Sequence, residues 1–118
     1  MRAAMNSQET QKLRNLLTRR QWAPLIEQLH RLGPGSAADF FMTVPYEEQR
    51  AFFHEMPIEL AASLIVHLPY YHAYVLLHSR PVQDMRSIID AMSPGERNHF
   101  LDALPEEAWQ CLMDELAA

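Results

Sequence analysis

MPIELAASLIVHLP, residues 56–69, is the stretch that decides the fold. It runs from Pro57 to Pro69, and an apolar residue falls four, seven, eight and eleven places after Pro57. Steps of three and four residues place these side chains along one face of an α-helix. The stretch therefore predicts a short helix that buries one apolar stripe and ends before Pro69.

The same unit recurs along most of the chain, because the prolines are evenly spaced. They are Pro24, Pro34, Pro45, Pro57, Pro69, Pro81, Pro94 and Pro105, 10 to 13 residues apart. Proline disfavours helical geometry in the residue before it and suits the first helical position, where its missing N–H costs nothing. We therefore predict that each proline ends one helix and begins the next. The sequence SPGE at 93–96 also predicts a capping box.

These signals predict an all-α fold of about nine short helices. We place them at residues 7–19, 22–32, 36–43, 46–55, 58–67, 70–79, 82–92, 95–103 and 106–116. Helices this short are not stable alone in water, so neighbours must stack. Stacked helix pairs predict a superhelix, or small solenoid, with a compact bundle as the alternative. The length of 118 residues fits one domain, 1–118, in which 1–19 forms a basic leading helix.

Charge divides the chain into two unequal parts. Residues 1–31 carry six Lys or Arg against two Glu, whereas residues 32–118 carry four Arg against thirteen Asp or Glu. The acidic part argues against nucleic acid as a partner, because binding to phosphates needs a basic face. Cys111 is the only cysteine, so no disulfide forms within the chain. No stretch reaches the roughly 20 apolar residues of a membrane span, and we expect a cytoplasmic protein without direct membrane insertion.

Three phrases carry a resemblance to a known family. They are MPIELAASLIVHLP at 56–69, IIDAMSPGERNHFLDALP at 88–105 and PEEAWQCLMDEL at 105–116. They are similar to the repeats of the intracellular N domain of MgtE magnesium transporters, over about residues 20–116. The resemblance implies a cytosolic superhelix of short helices that is followed, in the family, by a pair of CBS domains and a membrane channel. It leaves open whether the natural protein continues past Ala118.

The resemblance also implies a role for magnesium. In the family, magnesium binds acidic residues between the N and CBS domains and favours the closed channel. The acids of this chain in the corresponding repeats, Glu59, Asp90 and Glu96, are the candidate ligands for weakly bound Mg²⁺, and no tightly bound cofactor is expected. Two positions that are often acidic in the family are Ser63 and Gly95 here. Glu59 and Glu96 also suit the first turn of a helix, so helix capping is the competing interpretation.

Three histidines form a first set of candidate partner-binding residues. His54, His67 and His78 fall nine or ten residues after their prolines, at nearly equivalent places in successive units. A row of imidazoles suits zinc binding or pH sensing. The chain has no local zinc-ligand spacing, which favours exposed or groove-lining histidines instead.

Three tyrosines form the second set. Tyr70, Tyr71 and Tyr74 lie in the segment PYYHAY at 69–74, which contains no Asp, Glu, Lys or Arg. Such composition is typical of a recognition surface, because tyrosine is enriched where proteins contact one another. Partial burial of the three rings is the alternative interpretation.

No catalytic signature accompanies these residues. The chain has no glycine-rich phosphate loop and no nucleophile elbow, and Cys111 falls within the last predicted helix. We therefore predict a protein that is not an enzyme. The first interpretation is a cytosolic regulatory domain of an MgtE-like magnesium transporter, which gates the channel through contact with CBS domains. The alternative is a stand-alone helical-repeat adaptor that binds a protein partner without sensing magnesium.

Overall fold

The helices follow the prolines closely. The computed structural model describes residues 6–117, and within that range it contains nine α-helices and no strand. They are α1 (Ser7–Thr18), α2 (Trp22–Leu32), α3 (Pro34–Met42), α4 (Tyr46–Glu55), α5 (Ile58–Ile65), α6 (Tyr70–Leu77), α7 (Val82–Ala91), α8 (Pro94–Ala103) and α9 (Glu106–Ala117). The predicted all-α fold is confirmed, and every predicted helix end lies within two residues of the observed one. Arg2, part of the predicted basic leading segment, lies outside the described residues.

The prolines occupy different positions, which corrects the prediction that each one is the first helical residue. Pro34 and Pro94 do begin α3 and α8, and Pro24 is the third residue of α2. Four other prolines cap the next helix instead: Pro45, Pro57, Pro69 and Pro81. Their φ is −55° to −59°, and their ψ of 143° to 155° is extended. Proline is tolerated at this cap position because only the carbonyl of a cap residue takes part in the helix.

The apolar stripes of the repeat meet in one core. The pairs seven and eight places after proline are buried in four successive units: Phe52–Phe53, Leu64–Ile65, Leu76–Leu77 and Ile88–Ile89. In α5, Ala61 and Ala62 are also buried, so this short helix is enclosed on most of its surface. The ring of Trp22 stacks on Phe52 with centroids 5.4 Å apart, which attaches α2 to the core. Burial of one stripe per helix explains how such short helices remain folded.

The most extensive helix contacts form a line through the molecule. Helix α1 packs on α2, α2 on α3, α3 on α5, α5 on α7 and α7 on α9. Alternate helices from α3 onward therefore form a row, and α1 and α9 stand at its two ends. The Cα atoms extend over 43 × 30 × 21 Å, an elongated shape. This order is compatible with the predicted superhelix.

The turn between α1 and α2 contains a residue in the left-handed region. Arg20 has φ of 55°, and its N–H donates to the carbonyl of Leu17 at 3.0 Å, while the N–H of Gln21 donates to Leu16 at 2.9 Å. This pair of bonds is the Schellman ending of a helix, in which glycine is the usual left-handed residue. The Arg20 guanidinium lies 5.8 Å from the centre of the Trp22 ring, and this contact offsets part of the conformational cost.

We expect glycine to be better than alanine at this position. Arg20→Gly should have a free energy of unfolding about 1 kcal/mol higher than Arg20→Ala, because alanine keeps the strained conformation and both variants lose the contact with Trp22. Arg50 is exposed in the middle of α4, and there the order should reverse. Arg50→Gly should have a free energy of unfolding about 1 kcal/mol lower than Arg50→Ala, since glycine weakens a helix interior. Urea denaturation of the four variants measures both differences. The same order at both positions would contradict the assignment of strain to Arg20.

Candidate functional site

The three candidate acids lie on separate helices and are exposed. Glu59 is the second residue of α5, Asp90 lies in the last turn of α7, and Glu96 is the third residue of α8. Glu96 completes the predicted capping box: its Oε1 accepts from the Ser93 N–H at 3.2 Å, and the Ser93 hydroxyl accepts from the Glu96 N–H at 3.2 Å. Among residues 6–117, no three His, Cys, Asp or Glu side chains are grouped so that they could hold a metal ion. The magnesium ligands therefore remain a prediction.

The two positions that lack the family's acids differ in their surroundings. Ser63 is half-buried, and its hydroxyl donates to the Leu60 carbonyl at 2.9 Å. It lies one turn after Glu59 on α5, so the two residues share a face of the helix. Gly95 is exposed in the first turn of α8, and a Cβ placed there would meet no atom within 4 Å. A side chain at 95 would therefore meet no obstacle at its Cβ.

The three histidines have separate environments. His54 is exposed on α4 and lines an open groove, and His67 is exposed in the turn after α5. His78 caps the C-terminus of α6, where its Nδ1 lies 2.8 Å from the Tyr74 carbonyl and its Nε2 lies 2.8 Å from Oε2 of Glu115. His78 therefore joins α6 to α9, a structural role that the histidine row does not predict.

The three tyrosines divide into an inner and an outer set. Tyr74 is half-buried, with its ring 4.3 Å from that of His78, and burial raises the pKa of its hydroxyl, with smaller contributions from Cys111 and Glu115. Tyr70 and Tyr71 are 42% and 69% exposed at the start of α6. Of the three, only Tyr70 and Tyr71 are exposed enough to contact a partner directly.

The comparison with protein families identifies the group to which these helices belong. A model of the MgtE intracellular N domain matches residues 32–118. The chain belongs to this family. The match spans α3 to α9, whereas α1 and nearly all of α2 precede it. No curated protein and no solved structure matches the chain. Within residues 6–117 of this MgtE N domain, no helix has the length and apolar composition needed to cross a membrane.

A buried polar centre in the MgtE N domain was missed by the sequence-based interpretation. Gln49 is 2% exposed, and its amide nitrogen donates to the carbonyls of Phe41 at 2.8 Å and Val44 at 2.9 Å. Its Oε1 lies 2.6 Å from Nε2 of His72 on α6. Since both amide hydrogens are used, the Gln49 oxygen must accept, and His72 must carry a proton on Nε2. The centre joins the α3–α4 turn to α6.

A signal for this centre was present in the repeat. Gln49 stands four places after Pro45, where the next three units have the buried residues Ala61, Ala73 and Met85. A polar side chain on a buried stripe needs hydrogen-bond partners, because burying it without them is costly. This position in the repeat could therefore have indicated a buried polar contact at Gln49, although not the identity of its partner.

Arginine side chains close the ends of two helices. The buried guanidinium of Arg80, between α6 and α7, donates to the carbonyls of Phe53 and Met56, both at 2.9 Å, at the end of α4. It also pairs with Asp84 at 3.1 Å. Arg97 donates in the same way to the carbonyl of Ile89 at 3.2 Å, at the end of α7. Cations suit these positions because the C-terminal end of a helix is partly negative.

The half-buried position of His72 predicts a dependence of stability on pH. Burial lowers the pKa of His72 from its ordinary value of 6.5, so the folded state binds fewer protons than the unfolded state in acid. The contribution is complete above pH 6.5 and is lost as pH falls through the lowered pKa. We expect His72→Gln to lose less stability than the natural protein between pH 7.5 and pH 5. Urea denaturation at both pH values measures this difference, and His30→Gln, at an exposed residue, is the control. An identical pH dependence in His72→Gln and the natural protein would contradict it.

Proposed function

We propose that this chain is the cytosolic regulatory domain of an MgtE-like magnesium transporter and acts by moving against CBS domains of the same protein. The family match over residues 32–118 is the observation that carries the proposal. The exposure of Glu59, Asp90 and Glu96 supports it, because ligands shared with a second domain must lie at the surface. In this proposal the domain works at the cytosolic face of the membrane and catalyses no reaction.

The magnesium site that we propose is incomplete in the isolated domain. Mg²⁺ requires near-octahedral oxygen ligands but keeps several of its waters, so one or two carboxylates from each domain suffice. Glu59 and Asp90 remain for this purpose, since the carboxylate of Glu96 also serves the capping box. The absence of acids at Ser63 and Gly95 reduces the negative charge on this side of the site. We therefore propose that this domain binds magnesium more weakly than a relative with both acids.

Restoring the two acids tests this weakness. We expect the natural domain to bind Mg²⁺ only in the millimolar range, and the double variant S63D/G95D to bind it about tenfold more tightly, a change of about 1.4 kcal/mol. The matched control S63N/G95N has the same side-chain shape without the charge and should bind like the natural domain. Isothermal titration calorimetry with MgCl₂ measures the three affinities. Micromolar binding by the natural domain would contradict an incomplete site.

The regulatory role itself is tested in cells. We expect deletion of residues 6–117 from the chromosomal gene to leave magnesium uptake active when cytosolic magnesium is already high, because the closing contact has been removed. Uptake measured with a fluorescent magnesium indicator, with and without the deletion, reports this change. Uptake that shuts off normally in the deletion strain would overturn the proposal.

A second function is favoured by the surface of α6. This helix has no Asp, Glu, Lys or Arg, and it exposes Tyr70 and Tyr71. An uncharged aromatic surface is typical of a protein contact, as in a stand-alone adaptor. The two functions differ in the deletion experiment, since loss of an adaptor would leave magnesium uptake and its shut-off unchanged.

A further inference from the structure

Four of the exposed Lys and Arg residues between 6 and 117 lie in the first helix or directly after it: Lys12, Arg14, Arg19 and Arg20. Residues 32–117 contain four arginines, and three of them, Arg80, Arg86 and Arg97, donate to backbone carbonyls at the ends of other helices. Their side chains are therefore occupied within the domain. Helix α1, which precedes the segment matched by the family model, carries exposed Lys12 and Arg14, and Arg19 follows at its C-terminal cap.

One side of α1 forms a shallow groove with a basic rim. The groove is lined by Gln8, Gln11, Lys12, Asn15, Leu16, Arg19 and Gln21. Leu16 is half-buried, and Lys12 and Arg19 stand exposed on either side of it along the helix. Neither cation forms an ion pair with another residue in the described range 6–117. On this side of α1, the apolar side chain of Leu16 therefore lies between the positive charges of Lys12 and Arg19.

The last helix presents the opposite charge. Helix α9 contains four Asp or Glu and no Lys, Arg or His, and its buried side faces α7 through Leu112. Its outer side exposes Glu107, Cys111 and Asp114. The Gln110 amide donates to one oxygen of Asp114 at 3.0 Å, which leaves the second oxygen for another contact. Glu107, Cys111 and Asp114 therefore form an exposed stripe of α9 in which the thiol lies between two carboxylates.

The two stripes match in spacing as well as in charge. Lys12, Leu16 and Arg19 are separated by four and three residues, and so are Glu107, Cys111 and Asp114. At 1.5 Å per residue, both outer pairs span about 10.5 Å along the helix. Parallel packing would place Lys12 opposite Glu107, Leu16 opposite Cys111 and Arg19 opposite Asp114.

We propose that α1 of one copy of this chain binds α9 of a second copy, head to tail, through these two stripes. Helices α1 and α9 stand at opposite ends of the line of helices. A pair of bound copies therefore still has one free α1 and one free α9, to which further copies can bind. Association therefore grows with protein concentration and weakens with salt, which screens exposed charges. The inference does not depend on magnesium or on a transporter.

Sedimentation velocity on the full 118-residue chain under reducing conditions tests the contact. We expect the weight-average mass to rise with concentration above the 13.7 kDa of one chain at low ionic strength, and to return to that value in high salt. The variants K12E/R19E and E107K/D114K should each remain at the mass of one chain, with circular dichroism confirming that they are folded. Their equimolar mixture should associate again, because the unchanged α1 of the second variant is complementary to the unchanged α9 of the first, and the two charge-reversed surfaces are complementary to each other as well.

A crosslink gives a second readout that does not depend on charge reversal. In L16C, oxidation should join the introduced thiol to Cys111 of another copy, and peptide mapping identifies that link; the same variant in a C111S background should not form it. Absence of the link, or a weight-average mass of 13.7 kDa at every concentration in low salt, would overturn the proposal. Dimers that persist in the charge-reversed variants would also overturn it.

Discussion

Gln49→Leu is expected to lower the free energy of unfolding by about 2–4 kcal/mol. Leucine fits the apolar stripe, but it withdraws the hydrogen bonds that Gln49 makes to the carbonyls of Phe41 and Val44 and to His72. The Phe41 carbonyl keeps the Val44 N–H at 3.1 Å, but the Val44 carbonyl and the His72 ring nitrogen each lose the partner that Gln49 supplies. Leaving buried polar groups without these hydrogen bonds costs more than the apolar gain from leucine.

The control for this prediction is the neighbouring exposed residue. Glu48→Leu makes the same kind of replacement on the outside of α4 and should change stability by less than about 0.5 kcal/mol. Urea denaturation at pH 7.5 measures both variants. If Gln49→Leu is as stable as the natural protein, the buried hydrogen bonds do not hold the α3–α4 turn against α6.

Arg80→Met is expected to lower the free energy of unfolding by about 2–3 kcal/mol. Methionine preserves much of the side-chain volume but removes the cation from the end of α4, where the carbonyls of Phe53 and Met56 accept its hydrogen bonds. Bonds from a charged donor are stronger than neutral ones, and the Arg80 side chain is only 8% exposed, so water replaces them poorly.

Arg86 provides a matched control for Arg80. It also donates to a carbonyl at a helix end, that of Leu116, but its side chain is exposed. Arg86→Met should therefore cost less than about 1 kcal/mol, because water readily solvates the freed carbonyl. Thermal denaturation followed by circular dichroism distinguishes the two variants. Equal losses at Arg80 and Arg86 would show that burial does not strengthen the Arg80 contacts.

Local features of the sequence were sufficient to predict the helices. Proline restricts the backbone conformation of its own residue and of the residue before it. Helix ends near Pro57 or Pro81 could therefore be predicted without information on tertiary contacts. Whether a given proline is the cap or the first helical residue could not be predicted. Both positions accept a φ near −60°; they differ in ψ, which the proline ring does not fix. Glu96 was predicted as a capping residue, since Ser93 lies three residues before it.

Contacts between residues that are distant in the chain could not be predicted from sequence patterns. Gln49 occupies a position of the repeat that is apolar and buried in the next three units, but its partner His72 lies 23 residues away. Likewise, the carbonyls that Arg80 caps belong to a helix 24 to 27 residues earlier. The magnesium ligands are harder still to predict, because the proposed site needs carboxylates from a second domain. Exposed acids such as Glu59 have the same sequence pattern whether they bind a cation or only cap a helix.

We propose that this MgtE N domain regulates by moving against a partner domain when magnesium binds between them. The most direct test is a distance measured by electron paramagnetic resonance in the intact transporter. One spin label is placed at N98C on the exposed surface of α8, in a C111S background, and the other on a CBS domain. The account predicts that millimolar Mg²⁺ shifts the distances to a shorter and narrower distribution. The same distribution with and without Mg²⁺ would contradict it.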